Sequence, residues 1–229
     1  MELKPGAKLG PYEILSPLGA GGMGEVYRAH DTRLQRSVAI KVLKVGGNED
    51  PLLRKQIQAE GRVISALQHP NICTLYDIGQ QNGLDYLVME CLEGETLAQR
   101  LARGPLPLPE FLKYALEICE GLERAHASGV IHRDLKPGNI MLTKNGAKIM
   151  DFGLAKLNVA SSPDAATHSS AFTEQGAIAG TLDYMSPEQI EGAAVDEQSD
   201  IFSLGAVFYE MATAKRPFAG NTNASVIAA

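Results

Sequence analysis

The chain changes character once, at residues 90–94. Before that point it consists of short, alternating, β-branched runs; after it, longer helical periods dominate. "YEILSPLG" from Tyr12 and "EVYRAHD" flank a glycine cluster, and "SVAIKVLK" continues the alternation. Residues 52–67 place Leu53, Ile57, Val63, Ile64 and Leu67 on one helical face, which "HPN" at 69–71 terminates. Two further strands are expected at 72–78 and 84–89, joined by the turn-rich "QQNG". Residues 12–89 therefore predict an antiparallel five-stranded sheet with one helix. Beyond them, 95–103 and 109–128 are expected to be helical, and 140–142 and 147–150 to be short strands. Residues 157–175, rich in Ser, Thr and Ala, read as a loop, and the apolar stretch 199–213 reads as a buried helix. The expected class is α+β, with a small β lobe over 12–90 and a larger, mainly α lobe over 91–229. No internal repeat is visible.

Composition narrows the function. Of 229 residues, 45% are hydrophobic and 21% charged, as in ordinary globular domains. The net charge of −6 gives no broad basic face, so a nucleic-acid partner is not expected. Cys73, Cys91 and Cys119 are odd in number and far apart, which fits neither a disulfide framework nor a zinc site. They read as buried thiols in a reducing cytoplasm. The N-terminal "MELKPGAKLGPY" lacks the apolar core of a signal peptide, and no run approaches membrane-spanning length.

Three local patterns carry chemistry. Gly19, Gly21 and Gly24 form G-x-G-x-x-G, but a strand-like "EVYRAH" follows where a dinucleotide fold needs a helix. That leaves a glycine-rich hairpin turn, or a hairpin whose bare N–H groups lie over phosphates. Lys41 lies in an apolar strand, where an unpaired charge is expensive, and Glu60 on the following helix is a candidate partner. The adjacent Gly61 is a poor helix residue with no reason visible in the sequence. In "HRDLKPGN", Asp134 could accept or orient a hydroxyl proton. Asn139 and the Asp151 of "DFG" offer oxygen ligands for a hard cation whose remaining ligands come from phosphates.

Taken in order, these motifs resemble those of the protein kinases of the Ser/Thr type, in particular the eukaryotic-like kinases of bacteria. The resemblance rests on "GAGGMGEV", "VAIK" at 38–41, Glu60, "HRDLKPGN" at 132–139, "DFG" at 151–153, "GTLDYMSPE" at 180–188 and "SDIFSLG" at 199–205. It implies a two-lobed kinase fold and ATP-dependent phosphorylation of Ser/Thr hydroxyls on proteins, this chain included, with Mg²⁺ as cofactor and Mn²⁺ as an alternative. It implies Asp134 as catalytic base, Lys136 as the neutraliser of phosphoryl charge, and Asn139 and Asp151 as metal ligands. Lys41 would meet the α- and β-phosphates, positioned by Glu60. The nucleotide would lie among Leu18, Gly19, Ala20, Gly21, Gly22, Gly24, Val26, Ala39, Met89, Glu90, Leu92 and Met141, with Met89 as gatekeeper. Asp200 would brace the backbone around Asp134.

The same resemblance implies a switch. Arg133, assisted by Lys156, would receive a phosphate from the segment after Asp151, with Thr173 as the favoured acceptor among Ser161, Ser162, Thr167, Ser169 and Ser170. Thr181 would bond Asp134 and Lys136. The family domain continues past the position where this sequence stops, so the expectation is a domain truncated at its C-terminus. A second copy or a partner would cover the exposed face, and Glu188 would be left as an unpaired carboxylate on a buried face. The alternative to an active kinase is a nucleotide-binding interaction module without catalysis.

Overall fold

The computed structural model describes residues 3–21, 24–43, 59–152 and 182–218. They divide into two compact units. The first takes the described residues up to 68 together with 73–92; the second takes 69–72, 93–152 and 182–218.

The first unit is built on one antiparallel sheet. Its strands are β1 (Lys8–Leu9), β2 (Tyr12–Gly21), β3 (Gly24–Asp31), β4 (Arg36–Leu43), β5 (Leu75–Gln81) and β6 (Leu84–Glu90), in the order β1-β2-β3-β4-β6-β5. The five expected strands are present, but the fourth of them, expected at 72–78, runs over Leu75–Gln81. The added β1 is two residues long, too short to show any alternation in sequence. Alternation along β4 sorts its side chains onto two faces. Val38 and Ile40 pair with Ala29 and Tyr27 of β3, and Ile40 and Val42 pair with Val88 and Tyr86 of β6. These residues, with Ile14 and Tyr12, form the core of the unit. Full burial of each large apolar side chain there contributes on the order of 1.5–3 kcal/mol. Ala39 and Lys41 fall on the opposite face and are also buried, so β4 is covered on both sides.

Residues 59–65 are helical and form the described part of the expected 52–67 helix (α1). Here Gly61 gains its explanation. A Cβ at this position would stand 1.9 Å from Ile78 Cδ1 and 3.3 Å from Ile78 Cγ1. The helix approaches β5 closely enough that a methyl group fits only if the Ile78 side-chain tip moves aside.

The second unit combines a small sheet with helices. Strands β7 (Gly94–Thr96), β8 (Ile140–Thr143) and β9 (Gly146–Ile149) pair in that order, antiparallel throughout. The sequence reading placed a helix from 95. The structure instead makes Thr96 the end of β7 and the N-cap of α2 (Leu97–Leu101), with Thr96 and Gln99 bonded reciprocally as a capping box. Helix α3 (Leu108–His126) buries Ala115, Ile118, Leu122 and Ala125, a stripe at helical spacing. It is tied to β9 where the Ala147 N–H donates to Glu117 Oε2 at 2.7 Å. Helix α4 (Pro187–Glu191) starts at a second capping box, Ser186 with Gln189. Helix α5 (Glu197–Thr213) buries Ser199, Asp200, Ser203, Leu204, Ala206, Val207 and Met211.

Two expectations are corrected. Helix α5 is not buried all round, for Ile201 and Tyr209 on its other side are exposed. Leu204, Val207 and Met211 are buried, Phe208 packs edge-on against Phe111 of α3, and Phe202 stacks on Phe218. The three cysteines are not buried either: Cys73 and Cys91 are half-buried and Cys119 is exposed. Cys119 follows Ile118, one position off the buried stripe of α3. Among the described residues, no helix is long and apolar enough to cross a membrane.

Candidate active site

In the second unit the polar stretch after Val130 is held by its own backbone and by α5. Asp200 is only 1% exposed, and its carboxylate accepts three hydrogen bonds. The His132 N–H donates to Oδ2 at 2.7 Å, the Arg133 N–H to Oδ1 at 2.8 Å, and His126 Nε2 lies 2.8 Å from Oδ2. Arg133 takes φ 65°, a left-handed conformation unfavourable for a side-chain-bearing residue, and these bonds help hold it there. His132 is fully buried. Its Nε2 lies 2.8 Å from the Met150 carbonyl, and its Nδ1 accepts from the Asp134 N–H at 3.2 Å. Only the neutral Nε2–H tautomer satisfies both partners. Burial pushes the His132 pKa down, against the pull of Asp200.

That depression has a sign. The folded His132 titrates below its unfolded value, which is about 6.5. Below about pH 6.5 the unfolded chain binds more protons, so stability falls as the pH drops through that region and is full above it. Histidine NMR titration should give the His132 ring a midpoint below that of the unfolded chain. A midpoint at or above the unfolded value would overturn this reading.

The Asp134 carboxylate, 6% exposed, sits inside the loop that follows. Its Oδ2 lies 2.9 Å from Lys136 Nζ and accepts from Asn139 Nδ2 at 3.0 Å. Asn139 Nδ2 also donates to the Asp134 carbonyl at 2.8 Å. A short 3₁₀ turn, Pro137–Asn139, brings these three residues together. The Met150 N–H donates to the Asn139 carbonyl at 2.8 Å, which places Asp151 next in chain beside Asn139. Asp151 is itself at φ 58°, and the Phe152 ring packs 4.8 Å from the His132 ring. With Nδ2 directed at Asp134, Asn139 has Oδ1 left for a cation, and Asp151 supplies a carboxylate. That oxygen-only donor pair fits Mg²⁺, which takes few protein ligands when phosphates supply the rest. Among the described residues no group of three or more His, Cys, Asp or Glu could hold a metal without such help.

In the first unit the strand register collects another set. Val26 pairs with Lys41, Ala39 with Met89, and Ala39 and Lys41 are two apart on β4, so all four share one sheet face. Gly19 pairs with Val26 from β2. Leu18 is 48% exposed, while Lys41 is 7% exposed. The Glu90 N–H donates to the Thr74 carbonyl at 2.9 Å, and the Glu90 carbonyl accepts from the Cys73 thiol at 3.7 Å. Glu60 lies on α1, Leu92 closes the unit, and Met141 lies on β8 of the second unit. Ala20 and Gly21 end β2, but Gly22, Lys156, Thr173 and Thr181 lie outside the described residues, as does the expected loop 157–175.

The glycines of the motif are not equivalent. Gly24 has φ 147°, and a Cβ there would stand 2.1 Å from the Val42 carbonyl oxygen of the neighbouring strand; at Gly19 a Cβ meets nothing within 4 Å. Gly24→Ala is therefore expected to destabilise the fold by about 1–3 kcal/mol, because backbone cannot yield as a side-chain tip does. Gly19→Ala should leave the melting temperature nearly unchanged. Thermal denaturation of the two variants decides, and equal melting temperatures would remove the structural role of Gly24.

Residues 182–191 are anchored on α5. Ser203 Oγ donates to the Tyr184 carbonyl at 2.7 Å, the Tyr184 hydroxyl donates to Glu210, and Arg216 lies 2.8 Å from Asp183. Burial and Glu210 push the Tyr184 hydroxyl pKa far up. The expectation for Glu188 is corrected: it is half-buried, and its carboxylate accepts from the Ser199 hydroxyl, which holds it below the ordinary carboxylate range. Sequence reasoning also missed His126, whose bond to Asp200 spans 74 residues and leaves no local signal.

The protein kinase domain model matches residues 12–229. The chain belongs to the protein kinase family. This kinase chain is 40% identical over 221 residues to the serine/threonine-protein kinase PknB of Mycobacterium leprae, covering 94% of this chain and 34% of that protein. It is 41% identical over 221 residues to PknB of Mycolicibacterium smegmatis, with the same coverage. The kinase chain thus spans about a third of the length of the curated relatives it matches. Among solved structures, the PknI kinase domain of Mycobacterium tuberculosis superimposes with a TM-score of 0.76 at 27% identity, covering 96% of this chain and 81% of that one. The kinase fold agrees with the architecture expected from sequence, an antiparallel sheet unit followed by a mainly helical one.

Proposed function

We propose that this chain is a protein-serine/threonine kinase domain that transfers the γ-phosphoryl group of ATP to Ser or Thr hydroxyls of proteins, its own chain among them. The observation that carries this reading is the cluster in which Asp134 Oδ2 is held by Lys136 and Asn139, with Asp151 beside Asn139. In the transfer, a bond forms between the substrate hydroxyl oxygen and the γ-phosphorus, and the bond to the β–γ bridging oxygen breaks as ADP leaves. Asp134 orients the hydroxyl and accepts its proton. Lys136 neutralises charge on the transferring group. Asn139 and Asp151 would hold Mg²⁺, or Mn²⁺ in its place, which would supply positive charge against the phosphates. Lys41, positioned by Glu60, meets the α- and β-phosphates. The sheet face carrying Val26, Ala39 and Met89, with Leu18, the glycine hairpin and the backbones of Glu90 and Leu92, receives the nucleotide.

Regulation belongs to the same reading: phosphate acquired on the segment after Asp151, with Thr173 favoured, would be received by Arg133 and Lys156. The reaction draws on cytoplasmic ATP, and the domain is placed there. The test is incubation of the chain with γ-labelled ATP and Mg²⁺, alone and with a generic basic protein, followed by phosphoamino-acid analysis. Label on phosphoserine or phosphothreonine is expected. No transfer by folded chain to either acceptor would defeat the proposal.

A further inference from the structure

The peptide unit joining Arg133 to Asp134 is planar, so the atoms that fix its plane also aim the Asp134 Cα. Its N–H end, on Asp134, donates to His132 Nδ1 at 3.2 Å. Its C=O end, on Arg133, accepts from Gln189 Nε2 at 2.8 Å. Gln189 lies 56 residues away, on α4. Its side-chain amide is fixed in turn: Oε1 accepts from the Ser186 N–H at 3.1 Å, while the Gln189 N–H donates to Ser186 Oγ at 3.4 Å. Only one amide orientation works, since a flip would set oxygen against the Arg133 carbonyl and NH₂ against the Ser186 N–H.

A glutamine is more than the cap requires. Glu at the third helical position closes a capping box as well as Gln does. What Glu lacks is the donor that reaches Arg133. The plane also needs holding, because Arg133 is in the left-handed region at φ 65°.

We propose that Gln189 is a positioning residue for Asp134: through the Arg133 carbonyl it sets the peptide plane that carries the catalytic carboxylate, and so makes the base depend on how the 182–191 segment is seated. This rests on the reading of Asp134 as the base. The 182–191 segment and the loop that performs the chemistry are then joined by a side-chain hydrogen bond.

Gln189→Glu separates the two roles, because it keeps the cap acceptor and removes the donor. Its melting temperature is expected to stay within about 2 °C of wild type. Its kcat for peptide phosphorylation, normalised to nucleotide-binding sites, should fall roughly 10- to 100-fold, with KM for ATP unchanged. The Asp134 amide should exchange hydrogen faster than in wild type. Wild-type kcat and wild-type exchange in Gln189→Glu would overturn the proposal and leave Gln189 as a cap alone. Should that variant fail to fold, Gln189→Met, uncharged and of similar length, carries the same normalised kcat and exchange measurements. If the wild-type chain transfers no phosphate, the kinase reading falls, while the exchange of the Asp134 amide still decides on Gln189.

Discussion

Asp134→Asn should lower phosphoryl transfer by about 10²–10⁴-fold, the range over which a positioned general base acts. The substitution is close to isosteric. An asparagine oxygen can still accept from Lys136 and Asn139, the two groups gathered on Oδ2, so the loop has no reason to collapse. What disappears is the negative charge that offsets the Lys136 ammonium and that, on the proposed reading, takes the hydroxyl proton. Nucleotide affinity should change by no more than a few-fold, since the groups assigned to the nucleotide lie mostly on the other unit. Initial rates with a Ser/Thr peptide and Mg-ATP, beside nucleotide binding by calorimetry, check both halves. A variant retaining about a third or more of the wild-type rate would remove Asp134 from the role of base.

Asp200→Ala should act on stability instead. The carboxylate is buried and accepts from two backbone N–H groups, with His126 as a third partner. Removing it leaves those donors without an acceptor in a dry setting, and releases Arg133 from one of its restraints. The expected loss is about 3–5 kcal/mol, the range found when one partner of a buried charged interaction is deleted. For a chain of this size that lowers the melting temperature by roughly 10 °C. Asp200→Asn should lose less, because one acceptor oxygen remains for either the His132 or the Arg133 amide. Calorimetry on the three proteins measures the order. An alanine variant melting with wild type would show that the network contributes nothing net.

The parts of the site that could be read directly are those whose chemistry is local. Asp134, Lys136 and Asn139 fall within six residues, so a single turn brings them together wherever it is placed. The capping boxes at Thr96 and Ser186 are equally local, three residues from cap to partner, yet they do not enter the sequence reading, which begins the α2 helix at 95. The shared face of Val26, Lys41, Ala39 and Met89 was half legible. Alternation within each strand shows which residues go together, but matching one strand to the next depends on register. Gly61 had no sequence explanation because its constraint is Ile78, on a different strand.

The sequence by itself determined the family, the two kinds of secondary structure and their order, and the short constellation around Asp134. Each depends on residues near one another along the chain, where hydrophobic period and hydrogen-bonding reach are set by the backbone alone. The resemblance also pointed to Asp200; tertiary structure decided what it binds, the Arg133 amide and His126, and set Gln189 against the Arg133 carbonyl. Those bonds join residues 56 to 74 positions apart. Their existence depends on the packing of α3, α4 and α5 around a buried loop, and no local pattern encodes that packing.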